Sequence, residues 1–359
     1  MKILAIGHSI AHYRQRKMWE TIAEQGHKVD TVVVPRYQNE VYEEIVKGSF
    51  HQHLVPAYNS DNNNFWYFPA LHDLVMKLKP EIIFCMQEPW TYAAYHAMNV
   101  AKIFDIPYGF FTWENIPKPW PQPWRNIESE VIKNSDIAVG GNKDACEILV
   151  LKGAKHVAKV LQSGLDPNLF FPEPELQFEE KLRPKRILFV GRLTAAKGID
   201  IILKSFDKLP KDEYILRFVG GRGEQEGLIR KHPEFGKRIT LEPWTQYERL
   251  PAIYNWADVS LMTSVDQPMW IEQCGYVVGE SLLCHVPVIT SFSKSILELW
   301  KMPGVFFTPQ GDVDLLADTL THEELFNKEL PKKGRQAVID NYSVEKIAQT
   351  YIDIFEATI

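Results

Sequence analysis

The chain has 359 residues, with 40 lysines and arginines against 46 aspartates and glutamates, for a net charge of −6 at neutral pH. Hydrophobic residues make up 45% and charged residues 24%, proportions that exclude a disordered chain, a collagen-like fibre and a disulfide-built scaffold. Length points to two domains at roughly 150 residues each, and the negative balance argues against a broad phosphate-reading surface for nucleic acid.

Short apolar runs alternate with amphipathic stretches of helical length. Lys2–Ile6, Lys28–Val34, Glu81–Met86, Pro107–Phe111, Asp136–Val139 and Val157–Leu161 read as strands. Tyr13–Gln25, Ala70–Leu78, Trp90–Phe104 and Asn142–Leu151 read as helices, the first closed by Gly26 and the last by Gly153. Continuous apolar strands joined by helices predict a parallel sheet covered on both faces. The rhythm stops over 166–185, a segment with four prolines that reads as a linker. It resumes with strands over Arg186–Val190, Tyr214–Val219, Arg238–Leu241, Val259–Met262, Val286–Thr290 and Val305–Phe307, and a last helix over Val344–Glu356. The fold class expected is α/β, two Rossmann-like doubly wound domains with a cleft between them.

Two stretches depart from this scheme. Residues 62–68 and 113–124 put exposed-looking aromatics in loops, and prolines at 117, 119, 121 and 123 forbid helix and central strand in the second. Packing by the tryptophans and stacking against a sugar or lipid headgroup fit equally. The four cysteines, Cys85, Cys146, Cys274 and Cys284, form no C-x-x-C pair and read as buried free thiols in a reducing compartment. No run approaches the roughly 18 apolar residues of a spanning helix, and Met1–Gly7 is too short for a signal peptide. A cytoplasmic protein is expected, with peripheral contact at the inner face of a membrane left open.

Several motifs are absent or incomplete. There is no P-loop and no H-E-x-x-H. His51-Gln-His53 reads as a solvated loop before a metal site. After Val219 the glycines at 220, 221, 223 and 227 miss the dinucleotide fingerprint, whose last position is Glu226. Asp312-Val-Asp314 reads as an acidic helix start, not a metal-binding D-x-D.

The informative region lies in the second half. Phe189-Val-Gly-Arg-Leu-Thr-Ala-Ala-Lys-Gly-Ile199 sets Gly191 and Arg192 after a strand and Lys197 at the start of a helix. Two cations at a strand-to-helix turn suit a diphosphate, although an exposed turn with two solvated charges fits equally. Downstream, Glu272 and Glu280 lie eight positions apart before the buried run Val286–Ile289. On one continuous helix their spacing would be roughly 12 Å, and each carboxylate accepts two hydroxyl hydrogen bonds.

G-R-L-x-x-x-K-G followed by E-x7-E, with Pro287-Val-Ile289 and Glu298 beyond, resembles the retaining nucleotide-sugar glycosyltransferases of family 4. Gly164-Leu-Asp166 with Phe170-Phe-Pro172, Ala257-Asp258-Val259 and Ser343 fit the same pattern, and the likeness is good over 135–359 and thinner before. The resemblance implies a GT-B fold, with an acceptor-side domain over 1–165, a donor-side domain over 166–340 and a helix over 341–359 packing back on the first. It implies Arg192 and Lys197 on the donor diphosphate, Glu280 on its ribose and Glu272 on the transferred sugar, with Gly7 and Gly191 allowing close approach to the phosphates. It implies no metal and no cofactor, a nucleoside-diphosphate sugar as substrate, and a glycan or lipid-linked acceptor. The chain departs from the family at His285, where glycine is common, and near Lys294. In the first half Glu88 or Glu114 stands where a histidine is usual, so these and His8 are the acceptor-side candidates. A sugar-nucleotide epimerase, a nicotinamide oxidoreductase and a non-catalytic nucleotide-sugar-binding protein are the alternatives, and the oligomeric state is open.

Overall fold

The computed structural model describes every residue except 38, 39, 61, 63, 64, 174–183, 222 and 328. The chain forms two compact units, Met1–Gly164 with Ser343–Ile359, and Leu165–Tyr342.

In the first unit β1 (Lys2–Ile6) leads through a single 3-10 turn to α1 (Tyr13–Glu24) and β2 (Lys28–Val33). A small antiparallel pair follows, β3 (Arg36–Tyr37) and β4 (Glu40–Val41), then β5 (Ile45–Lys47) and β6 (Phe50–Leu54). The order continues α2 (Leu71–Leu78), β7 (Ile82–Cys85), α3 (Tyr92–Ile103), β8 (Tyr108–Thr112), α4 (Trp124–Asn134), β9 (Ile137–Gly140), α5 (Lys143–Leu151) and β10 (Val157–Lys159). Among the described residues the main sheet runs β10-β9-β8-β7-β1-β2-β6-β5, parallel except for β5.

The second unit contains β11 (Lys185–Val190), α6 (Ile199–Phe206), β12 (Tyr214–Val219), α7 (Glu226–Lys231), β13 (Ile239–Glu242), α8 (Leu250–Trp256) and β14 (Val259–Met262). After them come α9 (Tyr276–Leu283), β15 (Val288–Ser291), α10 (Lys294–Trp300), β16 (Val305–Thr308), α11 (Val313–Thr319) and α12 (Glu329–Tyr342). Its sheet is wholly parallel, in the order β13-β12-β11-β14-β15-β16. Helix α13 (Val344–Thr358) then returns the chain to the first unit.

Both sheets are the doubly wound type expected. Strand β7 explains why the alternation of polar and apolar residues is missing: Ile83 and Cys85 join the core beneath α2 and α3, while Phe84 meets Tyr351 and Phe355 of α13. Trp19 of α1 stacks on Phe355, ring centroids 6.2 Å apart, and is fully buried. Helix starts follow side-chain capping: Thr91, Asn142, Ser293, Asp312 and Ser343 each accept a backbone N–H from the first turn. Asp312 is therefore a helix cap, as its sequence suggested, and Asp314 pairs with Lys208 at 2.7 Å.

Four readings change. His51 and His53 lie on β6, not in a loop; a strand reading Phe-His-Gln-His-Leu alternates too weakly in polarity to be seen as one. The aromatic loop of 62–68 is partly core, because Trp66 and Phe68 are each 1% exposed while Phe65 faces outward; residues 63 and 64 lie outside the described residues. The tryptophans of 113–124 pack locally: Trp120 lies 4.3 Å from Trp90, and Trp113 Nε1 donates to Gln162 at 3.1 Å.

The fourth concerns the linker. Phe170 is fully buried beside Tyr247 and Tyr254, and Arg335 donates to the carbonyls of Pro167 and Phe170 at 3.1 and 2.8 Å. Residues 166–173 are thus a docked part of the second unit; the stretch 174–183 of the expected linker lies outside the described residues. Cys85, Cys274 and Cys284 are buried free thiols, whereas Cys146 is only half-buried. Among the described residues no helix is long and apolar enough to cross a membrane.

Candidate active site

In an open parallel sheet the crevice lies beyond the carboxyl ends of the strands, where the strand order reverses. In the second unit that point is between β11 and β14. The turn after β11 and the loop after β14 are tied together there. Val265 N–H donates to Ala196 O at 2.9 Å, and the Thr263 hydroxyl donates to Lys197 O at 3.1 Å. Gly198, at φ +68°, makes this approach possible, since a Cβ on it would stand 2.2 Å from Thr263 O.

The Lys197 ammonium is hydrogen-bonded to Glu272 Oε2, and the Ser264 hydroxyl donates to the same oxygen at 2.6 Å. Trp270 lies under the ammonium, 5.0 Å from its ring centroid. Burial pushes the Glu272 carboxyl up, but Lys197, Ser264 and the Gln273 N–H outweigh it and hold it below its ordinary value. The loop carrying Glu272 is pinned along its length by the Ser291, Ser295 and Trp300 side chains, which donate to the carbonyls of Ser264, Glu272 and Cys274. A charged pair that is ordered before any ligand arrives is the condition for preorganised electrostatics.

Glu280 sits on α9, 2% exposed, with Tyr247 OH donating to Oε1 and Tyr254 OH to Oε2, each at 2.9 Å. Helix α9 begins only at Tyr276, behind Gly275 at φ +64°. Glu272 therefore precedes the helix, and the 12 Å separation expected of one continuous helix does not apply. Arg192 is exposed on the turn after β11. Glu224 approaches the same turn: Ala195 N–H donates to its Oε1 at 2.7 Å, and that bond, its own N–H and Arg192 hold its carboxyl below the ordinary range. Gly191 is overlain by the next turn, since a Cβ on Gly220 would stand 1.8 Å from Gly191 O. Gly220, and Gly223 against Leu193 O, thus serve backbone contact between two turns.

The first unit reverses its strand order between β1 and β7. Gly7 ends β1, and a Cβ on it would stand 2.9 Å from Met86 Cβ. His8 follows, stacked on Tyr37 at 4.4 Å, with the Gln87 amide 3.1 Å from its Nδ1. Burial and the nearby His12 lower the His8 pKa to about 4 against the smaller opposing effect of Gln87, so the ring is neutral at pH 7. Glu88 joins β7 to β8, accepting from the Thr112 hydroxyl and, at 2.9 Å, from Trp113 N–H. Burial raises its pKa against those two bonds. Glu114 departs from the acceptor-side expectation. It is 4% exposed, and its Oε1 takes Lys152 at 2.8 Å and Lys118 N–H at 3.2 Å, while Lys152 also holds Glu128 at 2.7 Å. Glu114 is thus held in an ion triad with Lys152 and Glu128.

Ser264, Trp270, Tyr247, Tyr254 and Gln87 are the site neighbours that sequence reasoning passed over. Ser264 and Gln87 could have been found from their position just past β14 and β7; the tyrosines carry no local signal.

Residues 173–350 match the family of glycosyl transferases group 1. An uncharacterized glycosyltransferase of Methanocaldococcus jannaschii is 24% identical over 215 residues, 55% of this chain and 53% of that protein. The chain spans about half the length of the curated relatives it matches. Among solved structures, sucrose-phosphate synthase from Thermosynechococcus elongatus superimposes with a TM-score of 0.76 at 18% identity, covering 99% of this chain and 100% of that one. Anabaena HepE in complex with UDP gives 0.75 at 14% identity, over 99% and 100%. The family model thus matches residues 173–350, on a chain with the GT-B fold.

Proposed function

We propose that the chain transfers a sugar from a nucleoside-diphosphate sugar to an acceptor hydroxyl with retention at the anomeric carbon. The observation that carries this reading is the Lys197–Glu272 pair at the strand-order reversal of the second unit, inside the region matching the transferase family. It presents one cation and one carboxylate side by side. A nucleotide sugar offers the complementary pair: an anionic diphosphate for the ammonium and hydroxyl donors for the carboxylate.

In this reading Lys197 and Arg192 take the diphosphate, Glu272 accepts from hydroxyls of the transferred sugar, and Glu280 accepts from the ribose through its remaining lone pairs. Gly191 keeps the backbone clear for the phosphates. As the glycosidic bond to the diphosphate breaks, negative charge grows on the leaving oxygen, where Lys197 and Arg192 stabilise it. That oxygen takes the proton of the acceptor hydroxyl as the new bond forms on the same face, so no enzyme nucleophile and no metal enters the step. His8, neutral at pH 7, and Glu88 are the acceptor-side groups; Glu114 is left to its ion triad. The acceptor is a glycan or a lipid-linked sugar.

The shift in melting temperature with UDP, GDP, ADP and NAD, each at the same excess, tests the donor site. A ligand at about 100 times its dissociation constant adds about 2.7 kcal/mol. A shift with one nucleoside diphosphate, lost in Arg192→Ala, supports the reading, and product analysis with and without an acceptor then separates transfer from epimerisation. A shift with NAD alone would overturn it.

A further inference from the structure

We propose a divalent transition-metal site, best suited to zinc, on the first unit, formed by Asp30 of β2 with His51 and His53 of β6. Residues two apart on a strand point to the same face, so the two imidazoles stand together, ring centroids 3.6 Å apart. Asp30 is the register partner of His51 on the adjacent parallel strand and brings its carboxylate to that face. One ligand atom from each of the three lies within 4.8 Å of the others. A point centred among atoms so spaced is at most about 2.8 Å from each, and inward rotation of less than about an ångström reaches zinc–ligand lengths of about 2.0–2.2 Å.

The charges favour a dication over the hydrogen bonds that hold the cluster now. Asp30 is 5% exposed, and its contacts are His53 Nε2 at 2.7 Å and the outer ammonium of Lys28 at 3.9 Å. Glu44, just before β5, reaches His51 Nε2 at 2.7 Å. Two carboxylates and two imidazoles so placed offer two negative charges and nitrogen lone pairs at close range. A dication at the centre of the three ligand atoms is attracted by the Asp30 carboxylate and by both imidazole lone pairs. Mixed imidazole and carboxylate donors select zinc, cobalt or nickel before magnesium or calcium. Glu44 fits as a hydrogen-bond partner that orients His51. The ion would clip β2, β6 and the strap before β5 into one piece. It is separate from the switch-point residues Gly7, His8 and Gln87, and the proposal does not rest on the transferase reading.

The test uses the full chain without a histidine tag, freed of metal by EDTA. One equivalent of Co²⁺ should give visible d–d bands that one equivalent of Zn²⁺ abolishes, and Zn²⁺ should raise the melting temperature. His51→Ala and His53→Ala should each weaken binding by at least the about 10–100-fold that even an outer-shell partner is worth, with far-UV circular dichroism in EDTA unchanged. X-ray absorption of the zinc-loaded wild-type chain should show two imidazoles and at least one carboxylate oxygen, a readout that needs no variant. Absence of stoichiometric binding, binding that survives either substitution, or a zinc shell without two imidazoles would overturn the proposal.

Discussion

Lys197 and Glu272, 75 positions apart in sequence, are joined by a charged hydrogen bond across the two turns that flank the strand-order reversal of the second unit. Removing the lysine therefore does more than subtract a phosphate ligand. It strips Glu272, 6% exposed, of its cation while Ser264 and the Gln273 N–H still donate to it. Lys197→Ala is predicted to lose about 3 kcal/mol of stability, the usual result of breaking a buried pair from one side, together with at least about a hundredfold in turnover. Lys197→Ala/Glu272→Gln should regain much of the stability and none of the activity. Urea unfolding and turnover, measured on both variants, separate the two effects.

The His8 ring gives the acid limb of the stability curve. Its pKa is about 4 when folded, against an ordinary imidazole value of 6.5. Between those values the unfolded chain binds a proton that the folded chain refuses, so stability falls as the pH drops from about 6.5 to about 4. His8→Gln should reduce that slope, leaving the part due to His12, His27 and His96, whose pKa values are also lowered, chiefly by burial. Melting temperatures between pH 4 and 7 read the difference directly, and an unchanged slope would contradict the assignment.

His285 follows α9 at φ +59°, with its N–H bonded to Leu282 O and the next N–H to Ser281 O. This is the left-handed helix stop at which a side chain is strained and glycine is not. His285→Gly should raise stability by about 0.5–1 kcal/mol after the entropy gained by the unfolded chain is deducted. His285→Asn, which tolerates this conformation better than most residues, should fall between. The departure from the family pattern at this position is thus a conformational cost borne outside the charged site.

Gly220 separates two backbones that touch. An alanine there meets Gly191 O at 1.8 Å, so one of the two turns must move. Gly220→Ala is predicted to cost about 3 kcal/mol or more and to weaken nucleotide binding, because the displaced turn carries Arg192. Gly221→Ala, with nothing within 4 Å of the added carbon, is the matched control and should be nearly silent. Chemical unfolding and a nucleotide-dependent melting shift test the pair.

Much of this was legible in the sequence. Strands such as Lys2–Ile6, Tyr214–Val219 and Val259–Met262 fall where the apolar runs put them, because fully buried parallel strands write their burial as uninterrupted Val, Ile and Leu. β6 did not, since its polar residues are hydrogen-bonded, His51 to Glu44, Gln52 to the Glu43 carbonyl and His53 to Asp30. Lys197 and Glu272 could be named from their motif, but not their bond: that depends on strand order, which local pattern does not carry. Glu114 looked like Glu88 in sequence, and only Lys152 and Glu128, brought in from distant elements, tell them apart.

The first unit is written in two pieces, with the whole second unit between them. Trp19 and Phe84, made early, find Tyr351 and Phe355 only at the far end of the chain. During synthesis the second unit has all its residues while the first still exposes an aromatic face awaiting its last helix. The first unit therefore completes its aromatic core only after every residue of the second unit has been made. Without α13, Trp19 and Phe84 would lose the aromatic rings that cover them.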